Sequence, residues 1–152
     1  MSRIYLDSSI LLSSVIDKPT EKKRSKNMIE TLRAGHNIVI PQIVLAEIVS
    51  KILTHNNNYQ KLLQDISNVI LNITNPHTCI PNADEKVYDL ALSIVRNDNR
   101  IDICDATIVA QAILDNADIL LTYDTKILES EYIIFKLIPA YGGRLEIKDR
   151  FP

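Results

Sequence analysis

The sequence predicts an α/β fold, a three-layer α/β/α sandwich around a central parallel sheet of four or five strands. Short apolar runs alternate along the chain with longer segments whose apolar residues recur every three or four positions. The gaps between the first predicted strands leave room for two helices each time. Strands that alternate with helices are typical of a parallel sheet, because each crossover needs a long connection to return the chain.

The first half of the chain contains two predicted strands and four predicted helices. The strands are 3–6 and 37–41, and the helices are 8–16, 20–33, 41–54 and 59–73. Thr20 is a candidate cap for the second helix, and Gly35 is a suitable stop after it. Pro41 ends the second strand and suits the first turn of the helix that follows.

The second half contains three further predicted strands. They are a very short strand at 79–81, a buried strand at 119–123 and a final strand at about 132–138. Asn82 is a candidate cap for a helix over about 83–96, and another helix is predicted over 103–116. The tail from Pro139 onward is expected to be irregular.

Length and composition indicate one ordinary globular domain. The 152 residues are 46% hydrophobic and 24% charged, and no linker or internal repeat interrupts them. We therefore expect a single domain over 1–152, with a core at about 1–138 and the tail at 139–152. The formal net charge of −2 excludes a strongly basic surface, but RNA stays a suitable substrate where a metal ion supplies positive charge locally.

Cysteines and histidines show no metal-binding pattern. Cys79 and Cys104 are far apart, and His36, His55 and His77 have no paired spacing, so we expect no structural zinc site. Two free thiols in a reducing cytosol are the expected state. The N-terminus lacks the pattern of a signal peptide, and no run reaches the roughly 20 apolar residues that cross a bilayer. We expect a cytoplasmic protein without a membrane partner.

Four carboxylates occupy positions that such a fold would bring to one place. Asp7 directly follows the strand at 3–6, and Asp124 directly follows the strand at 119–123. Both would lie at carboxyl ends of parallel strands, which is the edge where such sheets bind ligands. Glu47 and Asp105 lie on helices that a parallel sheet would bring to the same edge.

Asp7 and Asp124 also have a structural interpretation. Either residue could be a turn residue or a helix N-cap, since aspartate favours both positions. In the functional interpretation, Ser9 and Thr122 could donate hydrogen bonds that hold a nearby carboxylate in place. Position alone leaves both interpretations open.

Glu47 and Asp105 raise the same question. Glu47 lies beside an apolar helical stripe, and Lys51, one turn later, is its structural partner in the favourable order. Asp102 is the predicted N-cap of the helix that contains Asp105, and negative charge in a first turn suits the helix dipole. Whether Asp102 also belongs to a site stays open.

An acidic cluster at this edge implies a divalent metal ion. Clustered carboxylates repel one another and resist ionisation unless a cation neutralises them. Mg²⁺ and Mn²⁺ prefer such oxygen ligands, and a metal ion beside a groove suggests phosphoryl chemistry. We expect Asp7 and Asp105 to ligate the ion, with Glu47 and Asp124 ligating directly or through water. The sequence leaves the number of ions open.

Other functional classes lack their motifs. A phosphoacceptor domain needs an aspartate after its third strand, where this chain has Cys79-Ile80-Pro81. Three glycines form neither a dinucleotide-binding motif nor a P-loop, and the GxSxG motif of serine hydrolases is absent. A non-catalytic adaptor with the same fold is the main alternative, and the intact set of acids argues against it. Candidate contacts for a substrate phosphate are Lys51, Arg100 and Lys126.

The order of four segments resembles the PIN-domain ribonucleases, especially the toxin subunits of VapBC-type toxin–antitoxin pairs. The segments are 4–9, 44–48, 105–112 and 121–124, and the resemblance covers about residues 1–138. Each segment alone is a loose match, whereas the set in this order and within this length is fairly specific.

The resemblance implies a compact α/β/α fold and Mg²⁺- or Mn²⁺-dependent endoribonuclease activity. The residues that it implies are the acidic cluster Asp7, Glu47, Asp105 and Asp124, with Ser9 and Thr122 as supporting hydroxyls. It also implies a homodimer and a small protein antitoxin that occludes the groove. An RNA-processing or quality-control enzyme of the same family is the alternative to a toxin.

Overall fold

The structure, a computed structural model, describes residues 1–55, 57–73 and 81–151. The strands are β1 (Arg3–Leu6), β2 (Asn37–Val39), β3 (Ile119–Leu121) and β4 (Glu146–Lys148). The helices are α1 (Ser8–Ile16), α2 (Pro19–Arg33), α3 (Gln42–His55), α4 (Tyr59–Ile73), α5 (Glu85–Asn97), α6 (Ile103–Leu114), α7 (Thr125–Leu128) and, after a π-helical segment at Tyr132–Leu137, α8 (Ile138–Ala140).

The four strands form one parallel sheet in the order β2-β1-β3-β4. β1 lies between two neighbours, with Ile4 opposite Ile38 on one side and Ile119 on the other. The sheet is flanked by helices, so the predicted α/β/α class is confirmed. Since β2 and β3 lie on opposite sides of β1, the chain changes direction across the sheet at β1, where ligands of open parallel sheets bind.

The core is built from the apolar residues of these strands and of the helices around them. Ile4, Tyr5 and Leu6 are fully buried, as expected for a strand covered on both faces. On α6, Ala106 and Ala110 are also fully buried, and such small side chains allow close approach of a helix. The helix that carries Asp105 is therefore held firmly against the rest of the molecule.

The predicted final strand at 132–138 is wrong, because this segment is helical. Ile133 and Leu137, one turn apart, are buried on the same side of the segment. Ser130 starts the turn: its carbonyl accepts from the amide of Ile134 at 3.0 Å, and its Oγ accepts from the amide of Ile133 at 3.3 Å. The sequence of 132–138 predicts a strand because the length and β-branched residues of this apolar run fit both a strand and a helix.

The fourth strand lies instead in the tail that was expected to be irregular. In β4, Ile147 is opposite Leu120 of β3, and the carbonyl of Lys148 accepts from the amide of Thr122 at 3.0 Å. Gly142 and Gly143 turn the chain into this strand with φ of +98° and +68°, values that favour glycine.

Two predicted helix caps are also wrong. α2 begins at Pro19 with Lys18 before it, rather than at a Thr20 cap, because the fixed φ of proline suits the first helical position. α5 is capped by Asp84, whose Oδ1 accepts from the amide of Val87 at 3.0 Å, instead of by Asn82. Apart from these starts, the predicted helices of the first half agree with α1 to α4 to within about two residues.

Some predictions fall partly outside the described residues. These include the short strand at 79–81, of which Pro81 is described and belongs to no strand, together with His77 and Cys79. Cys104 has a free thiol and is half-buried. Among the described residues, the helices are all too short or too polar to cross a membrane.

Candidate metal centre

Asp7 lies immediately after β1 and is almost completely buried. Its amide donates to the carbonyl of Leu121 at 3.0 Å, which extends the pairing of β1 with β3 by one residue. Asp7 also precedes α1, but its side chain makes no capping hydrogen bond. Asp7 is thus the N-cap residue of α1 by position, but its carboxylate takes no part in capping and is available to the site.

Two hydroxyls hold one oxygen of this carboxylate. Ser9 Oγ donates to Asp7 Oδ2 at 2.7 Å, and Thr122 Oγ1 donates to the same atom at 2.8 Å. Asp7 Oδ1 is buried and has no hydrogen-bond partner in the described part of the chain. A buried carboxylate oxygen without a partner is costly, so this atom is suited to bind a cation.

Glu47 comes from the second turn of α3. Val44 and Ile48 on this helix are buried, and Glu47 lies beside them with a side chain that is 12% exposed. Its Oε1 pairs with Nζ of Lys51 at 2.7 Å, as the spacing predicts. Its Oε2 is buried and has no partner among the residues that the structure describes. The lysine therefore satisfies only half of this carboxylate.

Asp105 lies in the first turn of α6 and is 7% exposed. Asp102 is the N-cap, as predicted, and its Oδ1 accepts from the amide of Asp105 at 2.9 Å. This bond fixes the first turn of α6 and hence the direction in which the Asp105 side chain extends from the helix.

The three acids meet at the carboxyl edge of the sheet. Asp7, Glu47 and Asp105 each offer one oxygen, and these oxygens lie within 4.8 Å of one another. The set fits a divalent ion, since two of the three side chains have a buried oxygen with no partner in the described chain. Carboxylate oxygens alone suit hard ions such as Mg²⁺ or Mn²⁺ rather than zinc.

The electrostatics of the cluster favour binding of a cation. Burial, followed by the charges of Asp7, Asp102, Glu47 and Asp124, raises the pKa of Asp105 to about 8. Burial also raises the pKa of Asp7, although its two hydroxyl bonds act in the opposite direction. Close like charges in a buried place resist ionisation unless a cation joins them.

Asp124 lies near the cluster but outside the group of three. Its Oδ1 accepts from the amide of Lys126 at 2.9 Å, so the residue is the N-cap of α7. Its own amide donates to Oγ1 of Thr122 at 2.9 Å, which links it to the hydroxyl that holds Asp7. The interpretation of Asp124 as a helix N-cap is therefore confirmed. The negative charge of Asp124 also helps to raise the pKa of Asp105.

Of the three cations considered for phosphate contact, Lys51 lies at the acids. Burial alone would lower the pKa of its ammonium, but the hydrogen bond and charge of Glu47, with Asp7 and Asp105, raise it. Arg100 is instead paired with Asp98 through two bonds of 3.0 and 2.9 Å.

Tyr123 is a residue of this region that the sequence did not indicate. Its amide donates to Ser9 Oγ at 2.9 Å, so it shares the hydroxyl that holds Asp7. Its phenol OH lies 2.9 Å from Oγ of the buried Ser25 on α2, and the guanidinium of Arg24 lies 5.0 Å from its ring centre. No spacing in the sequence signals this connection, which joins α2 to the strand end.

The comparison with known families places the chain among PIN domains. The sequence profile of the PIN domain matches residues 4–130, and the chain belongs to the PIN domain family. No curated protein matches the sequence.

Several solved structures are similar to this one. VapBC2 from Rickettsia felis, bound to a DNA fragment from their promoter, has a TM-score of 0.64 and 22% identity, over 97% of this chain and 99% of that chain. FitAcB from Neisseria gonorrhoeae has a TM-score of 0.60 and 20% identity, over 81% and 88%. VapC20 from Mycobacterium tuberculosis, a toxin that cleaves the sarcin–ricin loop, has a TM-score of 0.62 and 14% identity, over 80% and 89%. At identities of 14–22%, these similarities show that the fold is shared.

Proposed function

We propose that this PIN domain is a divalent-metal-dependent endoribonuclease and the toxin of a toxin–antitoxin pair. The observation that carries the proposal is the meeting of Asp7, Glu47 and Asp105, whose oxygens lie within 4.8 Å of one another at the sheet edge. The similarity in fold to a toxin that cleaves the sarcin–ricin loop supports RNA as the substrate class. Cellular RNA makes the cytoplasm the proposed location.

The proposed site residues have distinct roles. Asp7 and Asp105 would ligate Mg²⁺ or Mn²⁺. Glu47 and Asp124 would ligate the same ion, either directly or through a water molecule. The bound ion would supply Lewis-acid chemistry to a phosphodiester and to the attacking water. Ser9 would keep Asp7 Oδ2 fixed, so that Oδ1 stays available.

Two further side chains, those of Thr122 and Lys51, would position the acids and contact the substrate. Thr122 donates to Asp7 and accepts from the amide of Asp124, so one hydroxyl sets the relative positions of both acids. Supporting bonds of this kind fix the orientation of ligands in metal sites. Lys51, 47% exposed at its side chain, would lie where a substrate phosphate approaches.

The proposed partners are an antitoxin and a second copy of this chain. The similarity in fold to VapBC2, which carries the name of the VapBC-type pairs, supports the antitoxin. An apolar groove lined by residues of α3 and of the α5 region supports the homodimer, with Val49, Leu53 and Tyr88 each more than 40% exposed. Contiguous exposed apolar side chains of this kind mark interaction surfaces.

The test of the enzyme proposal is cleavage of a defined RNA panel with Mg²⁺ or Mn²⁺. Asp7→Asn and Asp105→Asn should each abolish cleavage while the far-ultraviolet circular dichroism stays unchanged. Asp89→Asn, an exposed acid of α5, is the matched control and should cleave like the wild type. If both site variants cleave as fast as the wild type, the proposal fails. If the wild type binds RNA without cutting it, the adaptor alternative is supported instead.

A further inference from the structure

Helix α2 carries a strong excess of positive charge. Residues 18–33 contain six lysines and arginines but two glutamates, which gives the segment a formal charge of +4. The whole chain has a formal net charge of −2, so all other residues together carry −6. A separation of charge of this kind creates a local field that attracts anions, even on a chain that is acidic overall.

Three of these lysines form a row along the helix. Lys18, Lys22 and Lys26 are four residues apart, so they lie on one side of α2 at intervals of about 6 Å. The amide of Lys22 donates to the carbonyl of Lys18 at 2.9 Å, which makes Lys18 part of the first turn. Lys18 and Lys26 are exposed and Lys22 is half-buried. The phosphates of a single nucleic acid strand repeat at a comparable distance, and charged grooves of binding proteins follow such a backbone.

The lysine row has no acidic partner that explains it. In the part of the chain that the structure describes, no ion pair involves Lys18, Lys22 or Lys26. Glu30 and Asp65 line the same groove as Lys22 and Lys26, but neither lies within 4.0 Å of a lysine nitrogen. Like charges four residues apart destabilise a helix. An external anion bound along the row would relieve this repulsion.

The helix that carries the row is joined to the strand end beside the acidic cluster. Oγ of Ser25, in the same turns of α2, lies 2.9 Å from the phenol OH of Tyr123. The amide of Tyr123 donates to Ser9 Oγ at 2.9 Å, and Ser9 in turn holds Asp7. Because a helix with its side chains is about 10–12 Å across, the row lies within about one helix width of this contact. A few nucleotides of an RNA strand span that distance.

The surface beside the row is polar. The groove of about 350 Å³ between α2 and α4 is lined by the row and by the exposed amides of Asn68 and Asn72. Of its apolar members, Val15 and Ile29 are at most 6% exposed and Val69 is half-buried. A helix of a protein partner needs apolar anchors in its groove, whereas lysine and asparagine side chains are common contacts of a nucleic acid backbone. The surface therefore fits RNA better than a protein.

We propose that Lys18, Lys22 and Lys26 bind the phosphate backbone of the substrate RNA at a surface separate from the metal centre. The inference takes RNA as the ligand from the proposed nuclease function. Lysine binds phosphate as a compact point charge, and such contacts position a nucleic acid without reading its sequence. The row supplies the positive charge that the acidic cluster lacks and holds the strand beside the phosphate that is cut.

The test measures binding of a labelled single-stranded RNA by fluorescence anisotropy over a range of salt concentrations, in EDTA so that no cleavage occurs. The double variant Lys22→Gln with Lys26→Gln removes two charges and keeps good helix formers. Its plot of log K against log salt should be shallower by about 1.4, and its affinity at about 0.1 M salt about 25-fold lower, since each phosphate contact contributes about 0.7 to the slope. Lys86→Gln with Lys136→Gln, at two exposed lysines outside α2, is the matched control and should bind like wild type.

A second measurement is cleavage of the same RNA in Mn²⁺. The double variant in α2 should raise KM far more than it lowers kcat, because the row binds ground state and transition state alike. Far-ultraviolet circular dichroism should be unchanged.

Three results overturn the inference: unchanged RNA affinity in the α2 variant, an equal loss in the control, or no RNA binding by the wild type in EDTA. In each case, cleavage by the wild type in Mn²⁺ would leave the proposed nuclease function intact. If the wild type binds RNA through the row but cuts none, the nuclease function fails and the row stands. A polyglutamate peptide that binds the wild type but not the α2 variant, with equal RNA affinity in both, would assign the row to a protein partner instead.

Discussion

Oγ1 of Thr122 donates a 2.8 Å hydrogen bond to Oδ2 of Asp7, across 115 positions of sequence. The contact exists because β1 and β3 are neighbours in register, so the residues that follow them stand side by side. Thr122 is fully buried, and its hydroxyl also accepts from the amide of Asp124. A single hydroxyl therefore connects the two acids that follow the central strands.

Thr122→Val should weaken metal binding, because it keeps the shape of the side chain and removes the donor to Asp7. Loss of such a supporting bond typically costs about 10–100-fold in metal affinity or activity. Thr122→Ser, which keeps the hydroxyl, should restore most of the affinity. Mn²⁺ titration calorimetry checks both variants, and an unchanged dissociation constant in Thr122→Val would argue against the supporting role.

Three of the four acids that the sequence indicates come together in the structure, whereas Asp124 lies outside this group. For Asp7, position relative to a strand end was sufficient to predict its place. Asp7 and Thr122 follow buried apolar runs, and parallel strands bring such residues to one edge. The i,i+4 spacing likewise predicted the pair of Glu47 with Lys51. These relationships depend on local periodicity and on one topological rule.

Other features depended on tertiary packing, which a local pattern does not contain. The run at 132–138 has the composition of a strand, but Ile133 and Leu137 face the core as neighbours on a helix. Conversely, β4 consists of Glu146, Ile147 and Lys148, and only pairing with β3 makes it a strand. The link of Tyr123 to Ser25 joins distant hydroxyls and has no sequence signal.

The stability of the metal-free protein should fall as pH rises from about 4 to about 8. The pKa of Asp105 is raised to about 8 in the folded state, above its ordinary value near 3.9. The folded state therefore binds a proton that the unfolded state has lost in this range, and this stabilisation disappears as pH rises through the folded pKa. Asp98, whose pKa is lowered, acts in the opposite direction only at more acidic pH.

Thermal melts in EDTA between pH 5 and 9 measure this dependence. The difference between wild type and Asp105→Asn isolates the contribution of this group from that of other ionisable residues. A difference that does not change with pH across this range would contradict the raised pKa.

Asp105→Asn should itself stabilise the metal-free protein at pH 8 and above. The variant removes a charge that lies among the carboxylates of Asp7 and Glu47, and such unfavourable buried charges cost roughly 1–3 kcal/mol. For a chain of this size, each kcal/mol corresponds to about 2–4 °C in melting temperature. Melts in EDTA should show the gain, whereas excess Mn²⁺ should stabilise the wild type alone. An Asp105→Asn variant that melts lower than wild type in EDTA would show that the carboxylate has a structural role.

Asp124→Asn should distinguish the role of Asp124 as the N-cap of α7 from its proposed role in RNA cleavage. Asparagine caps helices as well as aspartate does, so α7 should keep its stability, whereas Asp124→Ala should lose about 1 kcal/mol. Because Asp124 lies outside the group of three, Asp124→Asn should weaken Mn²⁺ binding by less than about tenfold and still slow RNA cleavage. Calorimetry and cleavage assays on the same preparations check this. Loss of Mn²⁺ binding as complete as in Asp7→Asn would instead make Asp124 a direct ligand.

Leu53→Glu should convert the proposed homodimer into a monomer. Leu53 is 52% exposed and lines the apolar groove of α3 and α5 with Val49 and Tyr88. A charge in the middle of a packed interface is costly because it loses water without gaining a partner. Light scattering after size-exclusion chromatography measures the mass. Leu71→Glu, at a 70% exposed position of α4, is the control and should leave the dimer intact. A monomeric wild type, or a dimer that survives Leu53→Glu, would mean that this groove does not bind a second copy.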